Sequence, residues 1–273
     1  MLKIWGRTTS SNVQKVLWCS AELGIEYERV DLGGPFGGNQ DPEYLALNPN
    51  GLVPTVKDDD LVMWESNTIC RYLCTTRNGE RLYPKDPVAR THVERWMDWQ
   101  LSSVGPPMGA LLFGLIRTRP EQRDHAAVEA ARRKALAAWT IADDALDGHP
   151  YLAGAELSLA EITLGTLVYR WHAFPIERPP LKNLKAWFER LRERRSRGEA
   201  IDVQAFFQLG VALGVGFGAE IGIGGLGLPR AGVRRLPASQ HRLTLLGRPH
   251  AERPQERRND ERDSKSVHRY LLL

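Results

Sequence analysis

Only three cysteines occur in 273 residues, Cys19, Cys70 and Cys74, too few to frame a disulfide-rich secreted domain. No charge sign dominates: 37 Lys and Arg against 33 Asp and Glu leave a net charge of +4. That mild excess does not point to nucleic acid. Metal-ligand spacing is also missing. Cys70 and Cys74 stand four apart on one helix face with no His pair near them, so core packing is the expectation and a bound metal is not. No internal repeat or heptad run is visible. The opening residues, Met1 to Trp5, alternate and lack the layout of a signal peptide, so the expected setting is cytoplasmic. The one long apolar stretch, residues 206–228, is crowded with glycine and interrupted by Gln208 and Glu220, which makes a membrane role a poor reading. What remains is a chain 42% hydrophobic and 26% charged, the balance of a globular protein able to bury a core.

Three regions differ in grammar. Residues 1–80 mix short alternating runs with helical ones. A strand over 2–5 leads through a polar turn into a helix with Val13, Val16, Leu17 and Ser20 on one face, stopped at Gly24. A second strand, a glycine-rich loop and a short helix opened by Asp41-Pro42 follow. Strands near 53–57 and 61–64 flank Asp58-Asp59-Asp60 as a hairpin, and Ser66 is placed to cap a helix over 67–77. The expected fold of this part is a small α/β sandwich with a parallel crossover first and a hairpin last.

Residues 81–87 read as a linker, and 88–193 as an all-helical domain. Gly105-Pro106-Pro107 should kink or break its first helix. Thr118 and Glu121 have capping-box spacing for a helix running to about 146, and Ser158 and Glu161 repeat it before another. Leu184, Trp187, Phe188 and Leu191 line one face of a last helix. Trp96 and Trp99 read as packing residues. Residues 194–273 lose this grammar and become basic, polar and aperiodic, as a disordered tail would be.

Three turns could carry chemistry. At Thr8-Thr9-Ser10-Ser11-Asn12, before the first helix, a hydroxyl can cap the helix or point at an anion. No His or Asp is placed for a serine nucleophile, so Ser10 reads as a hydrogen-bond donor. Val53-Pro54 allows a cis bond that would offer the Val53 backbone to a peptide-like ligand, or a plain trans proline. At Glu65-Ser66, a hydroxyl with helix N–H groups could hold a carboxylate while Glu65 holds an amine. The plainer reading there is an N-cap beside a first-turn acid.

Together these turns resemble the glutathione S-transferase family. The carrying motifs are "GRTTSSNVQKVLW", "NPNGLVP", "WESNTICRYL" and "PYLAGAELSLAEITLG", in order over residues 1–193, and their detail looks most like serine-type bacterial members near the theta, phi and zeta classes. The resemblance implies a thioredoxin-like α/β N-terminal domain plus an all-α C-terminal domain. It also implies glutathione as co-substrate, a small-molecule electrophile of apolar character, and a homodimer. Ser10, with Ser11 as rival, takes the position of the activating hydroxyl. Val53 and Pro54 match the cysteinyl-binding pair, Glu65 and Ser66 the γ-glutamyl pair, and Asn39 and Gln40 fall near the glycyl end. Leu52 departs from the Lys, Arg or Gln common in relatives. Arg7, Met108 and Leu112 are the expected second-substrate neighbours.

Only about 3% of a free thiol is thiolate at pH 7, and the thiolate is the nucleophile. The implied activity is therefore to hold glutathione's sulfur as an anion for attack on an electrophilic carbon. The rival is a non-catalytic module that keeps the fold. The tail departs from the family as either a shifted reading frame or an extension.

Overall fold

The protein is described here by a computed structural model, and the structure describes residues 1–193. The tail and the apolar stretch at 206–228 lie outside the described residues.

Four strands form one sheet in the order β2-β1-β3-β4, with β1 at Leu2–Trp5, β2 at Tyr27–Val30, β3 at Thr55–Asp58 and β4 at Leu61–Trp64. β1 runs parallel to β2 and antiparallel to β3, and β3 and β4 make the hairpin. The period-two pattern of β1 buries Leu2 and Ile4 on one face. The side chains Val13, Val16 and Leu17 of α1 (Ser11–Glu22) and Ile69 and Leu73 of α3 (Ser66–Thr76) share their core.

Helix α1 ends as its sequence dictates. Gly24 takes φ +65, its N–H reaches Ala21 O, and the Ile25 N–H reaches Ser20 O at 2.9 Å. This double bond pattern closes the last turn of a helix with a left-handed glycine. The short α2 (Pro42–Leu47) starts at the proline after Asp41 as expected.

The remaining helices are α4 (Pro87–Trp99), α5 (Gly105–Leu112), α6 (His125–Ala145), α7 (Leu159–Ala173) and α8 (Lys182–Glu193). The proline pair neither breaks the chain nor ends its helicity. A π-turn at Gln100–Val104 shifts the hydrogen-bond register just ahead of the prolines, so they fall at the start of α5, where a missing N–H costs least. A second π-turn, Phe113–Arg117, follows α5. The Thr118/Glu121 expectation is corrected: residues 120–122 form a single tight turn, and α6 starts at His125 with the Asp124 carboxylate accepting from Ala127 N. The Ser158/Glu161 box forms in full. Glu161, fully buried, accepts from Leu152 N at 2.7 Å and from Ser158 N at 2.9 Å.

The two halves share one contiguous core. Gly165 of α7 marks a close approach in it: a Cβ there would stand 2.7 Å from the Trp18 ring of α1. The three cysteines are free and buried together, with the Cys19 and Cys74 sulfurs 3.8 Å apart. Trp96 is buried, donates to Leu152 O, and meets Trp99 edge-on at 5.1 Å. No described helix is long and apolar enough to cross a membrane.

Candidate functional site

The loop between β1 and α1 meets the loop before β3. Gly6 makes that approach possible. It takes φ +152, and a Cβ on it would stand 2.5 Å from Val13 Cγ2 and 3.2 Å from Val53 Cβ. The Val53–Pro54 peptide bond is cis. Among the described residues, no hydrogen bond engages the Val53 backbone. Tyr44 and Asn48 brace this loop from α2 through the Leu52 carbonyl and Thr55 Oγ1.

Ser10 is the N-cap residue of α1 by backbone geometry, with Gln14 N bonded to Ser10 O at 2.9 Å. Its side chain makes no cap bond. Ser10 is half-buried, and the N–H groups of Ser11, Asn12 and Val13 that follow it have no intrahelical acceptor. Ser11 is the first helical residue, half-buried as well. The capping role that sequence reasoning weighed is therefore not what the Ser10 side chain does.

At α3 the cap moves by one residue from expectation. Glu65, not Ser66, is the N-cap, and it takes φ +71. A non-glycine residue held there costs about 1–3 kcal/mol and persists only where its surroundings impose it. Ser66 becomes the first helical residue and is buried, and Ile69 N is the first donor satisfied, on Glu65 O. The N–H groups of Ser66, Asn67 and Thr68 thus form a free, positively polarised end.

Asn39 and Gln40, before α2, turn toward the loop that follows it. Asn39 Nδ2 donates to Gly51 O at 2.7 Å, and Gln40 Nε2 reaches the same oxygen at 3.4 Å. Leu52 beside them is exposed. Of the expected second-substrate neighbours, Met108 is enclosed in the core at 2% exposure, whereas Leu112 is half-buried and Phe113 is exposed. Arg7 lies along the Gly33–Gly34 backbone, its Cδ 2.9 Å from where a Gly34 Cβ would be.

Sequence reasoning missed one buried cation and one half-buried cation. Lys15 Nζ, fully buried on α1, donates to Gln100 Oε1 at 2.6 Å and Asn67 Oδ1 at 3.1 Å, tying α1 and α3 to the π-turn after α4. Burial in the company of neutral amides lowers its pKa to about 8. Arg170 of α7 donates from Nη2 to Thr9 O at 2.9 Å. Burial, then the charges of Arg117 and Arg7, bring it down to about 10. The available signal was a cation inside an otherwise apolar helical run, Leu167-Val168-Tyr169-Arg170-Trp171.

Residues 9–76 match the family described as glutathione S-transferase, N-terminal domain, and residues 126–190 its C-terminal domain. Glutathione S-transferase GstB of Escherichia coli (strain K12) is 38% identical over 196 residues, 71% of this chain and 94% of that protein. A probable glutathione S-transferase GSTF2 of Oryza sativa subsp. japonica is 32% identical over 203 residues, 71% of this chain and 93% of its own length. The crystal structure of the theta class glutathione S-transferase from Xanthomonas axonopodis pv. citri with glutathione bound superposes with a TM-score of 0.69 at 44% identity. That match covers 77% of this chain and 96% of that one.

Proposed function

The chain belongs to the glutathione S-transferase family, and on that premise we propose that it binds glutathione across the three turns and activates its sulfur through Ser10. The observation that carries this reading is the Ser10 hydroxyl, set at a helix N-terminus and free of the cap bond it could have made. It donates to the sulfur, and the polarised end of α1 stabilises the thiolate over the thiol. The Val53 backbone pairs with the cysteinyl part. The free N–H groups at the start of α3 and the Ser66 hydroxyl receive the γ-glutamyl carboxylate, and Glu65 faces its amine. Asn39 and Gln40 each keep a second amide hydrogen for the glycyl end.

In the reaction a carbon–sulfur bond forms at the electrophilic carbon, and the leaving group departs with its electron pair. The thiol proton goes to solvent water. Leu112 and Arg7 border the electrophile, and Met108 supports that wall from behind.

The same proposal includes a cytoplasmic setting and a homodimer. Leu61 and Trp64, left exposed on the edge strand β4, support pairing, and light scattering on the purified chain tests it. Retention on glutathione resin together with turnover of 1-chloro-2,4-dinitrobenzene tests the activity. Retention without turnover selects the non-catalytic module, for which the exposed Leu52 in a polar binding position speaks.

A further inference from the structure

Lys15 is spent on two neutral amides. Its Nζ donates to Asn67 Oδ1 at 3.1 Å and to Gln100 Oε1 at 2.6 Å, and all three side chains are buried. Asn67 is held from its other end as well, Nδ2 donating to Met97 O at 3.1 Å. The second residue of α3 is thus clamped between α1, α4 and the π-turn that follows α4. Packing alone does not ask for this. Methionine has nearly the length of lysine and would fill the space without desolvating a charge. At pH 7 the ammonium still holds its proton, burial having lowered its pKa only to about 8. The Asn67 N–H is one of the free donors at the start of α3, and bond lengths along the Asn67 side chain put it within about 8 Å of the ammonium. Over that distance a buried charge is screened far less than an exposed one.

We propose that Lys15 is a positioning residue of the glutathione site: its ammonium, acting through Asn67, holds the start of α3 in place and draws the γ-glutamyl carboxylate to it. The inference rests on the glutathione reading and deepens it, adding a residue of α1 to the end of the site remote from sulfur. The coupling runs both ways. A carboxylate on the free N–H groups stabilises the buried ammonium, and the ammonium strengthens the hold on the carboxylate by the same factor. Lys15 touches neither the ligand nor the sulfur, so its effect falls on binding and not on the chemical step.

The test measures two dissociation constants by calorimetry at pH 7 on the full chain. One ligand is S-methylglutathione. The other replaces its γ-glutamyl group by 4-aminobutyryl, which keeps the amine and lacks only the α-carboxylate. The wild type should prefer the first by about ten-fold or more. Lys15→Met should shrink that preference by about five-fold or more, and should raise the KM for glutathione by a similar factor while kcat changes by less than about two-fold. Lys15→Gln removes the charge but keeps a donor for the amides, so it carries the test if Lys15→Met does not fold; the same loss of preference is expected. A folded variant whose preference is unmoved overturns the proposal. Equal weakening of both ligands also overturns it, assigning Lys15 to packing alone. A fall in kcat with the preference intact does so too, assigning it to the sulfur end. A wild type that binds both ligands equally sinks the placement of the carboxylate on α3, and this inference with it. A wild type that binds neither sinks the glutathione reading as a whole.

Discussion

Arg170 Nη2 stands 2.9 Å from the carbonyl oxygen of Thr9, joining the extensively buried α7 to the residue before Ser10. One hydrogen bond thus fixes the Thr9–Ser10 turn against α7 and brings a positive charge to it.

Arg170→Gln tests that relationship. Removing a cation near the sulfur makes the thiolate less favourable, so the thiol pKa of bound glutathione rises. The basic-going limb of the kcat/KM profile should move to higher pH by about half a unit to one unit. A purely structural bond would lower the profile without moving it.

Ser10→Ala should cut turnover at neutral pH by roughly 10- to 150-fold, the worth of one hydrogen bond to a charged group at about 1.5–3 kcal/mol. Its effect on glutathione binding should be much smaller. Ser11→Ala is the control, because Ser11 is already inside the helix. Single-turnover kinetics on both variants decide between the two hydroxyls.

Glu65→Gln and Ser66→Ala should each raise the KM for glutathione and leave the chemical step nearly intact, because the proposed binding mode sets them at the end of the molecule remote from sulfur. Steady-state kinetics with glutathione varied at saturating electrophile read this directly. An unchanged KM in both variants removes this helix end from the site.

Lys15 should make stability rise with pH. Its folded pKa, lowered to about 8 by burial, lies below the ordinary lysine value of 10.5. Between those values the unfolded chain holds a proton that the folded chain has released, so unfolding becomes harder as pH rises. The interval corresponds to about 3 kcal/mol, present above pH 10.5 and lost as pH falls through 8. Urea denaturation of the wild type and Lys15→Met at pH 7 and pH 10 should show the wild type gaining by about that much relative to the variant. Parallel pH dependence would mean that the buried charge is not disfavoured.

Gly165→Ala should destabilise the fold by about 1–3 kcal/mol, because the new methyl would stand 2.7 Å from the Trp18 ring and force repacking between α1 and α7. Alanine is otherwise the better helix residue, so a neutral or raised thermal midpoint would show that Trp18 can move aside.

Local chemistry alone determined much of this protein. The left-handed stop at Gly24, the proline start of α2, the Asp58–Leu61 hairpin and the Ser158/Glu161 box are contacts among residues a few positions apart, so their pattern is written in adjacent letters. The three turns were legible for the same reason, each being a short segment at a helix or strand start. Even there, tertiary structure moved the detail: Glu65 took the cap at positive φ, the Ser10 side chain declined its cap bond, and the proline run stayed helical behind a π-turn. Other features belong to the fold alone. The Lys15 bridge to Gln100 spans 85 positions and the Arg170 bond to Thr9 spans 161, and neither cation has a local partner in the sequence. Enclosure of Met108 likewise depended on how the helices around α5 pack. Burial and the sum of nearby charges are properties of three-dimensional neighbourhood, and no spacing rule along the chain encodes them.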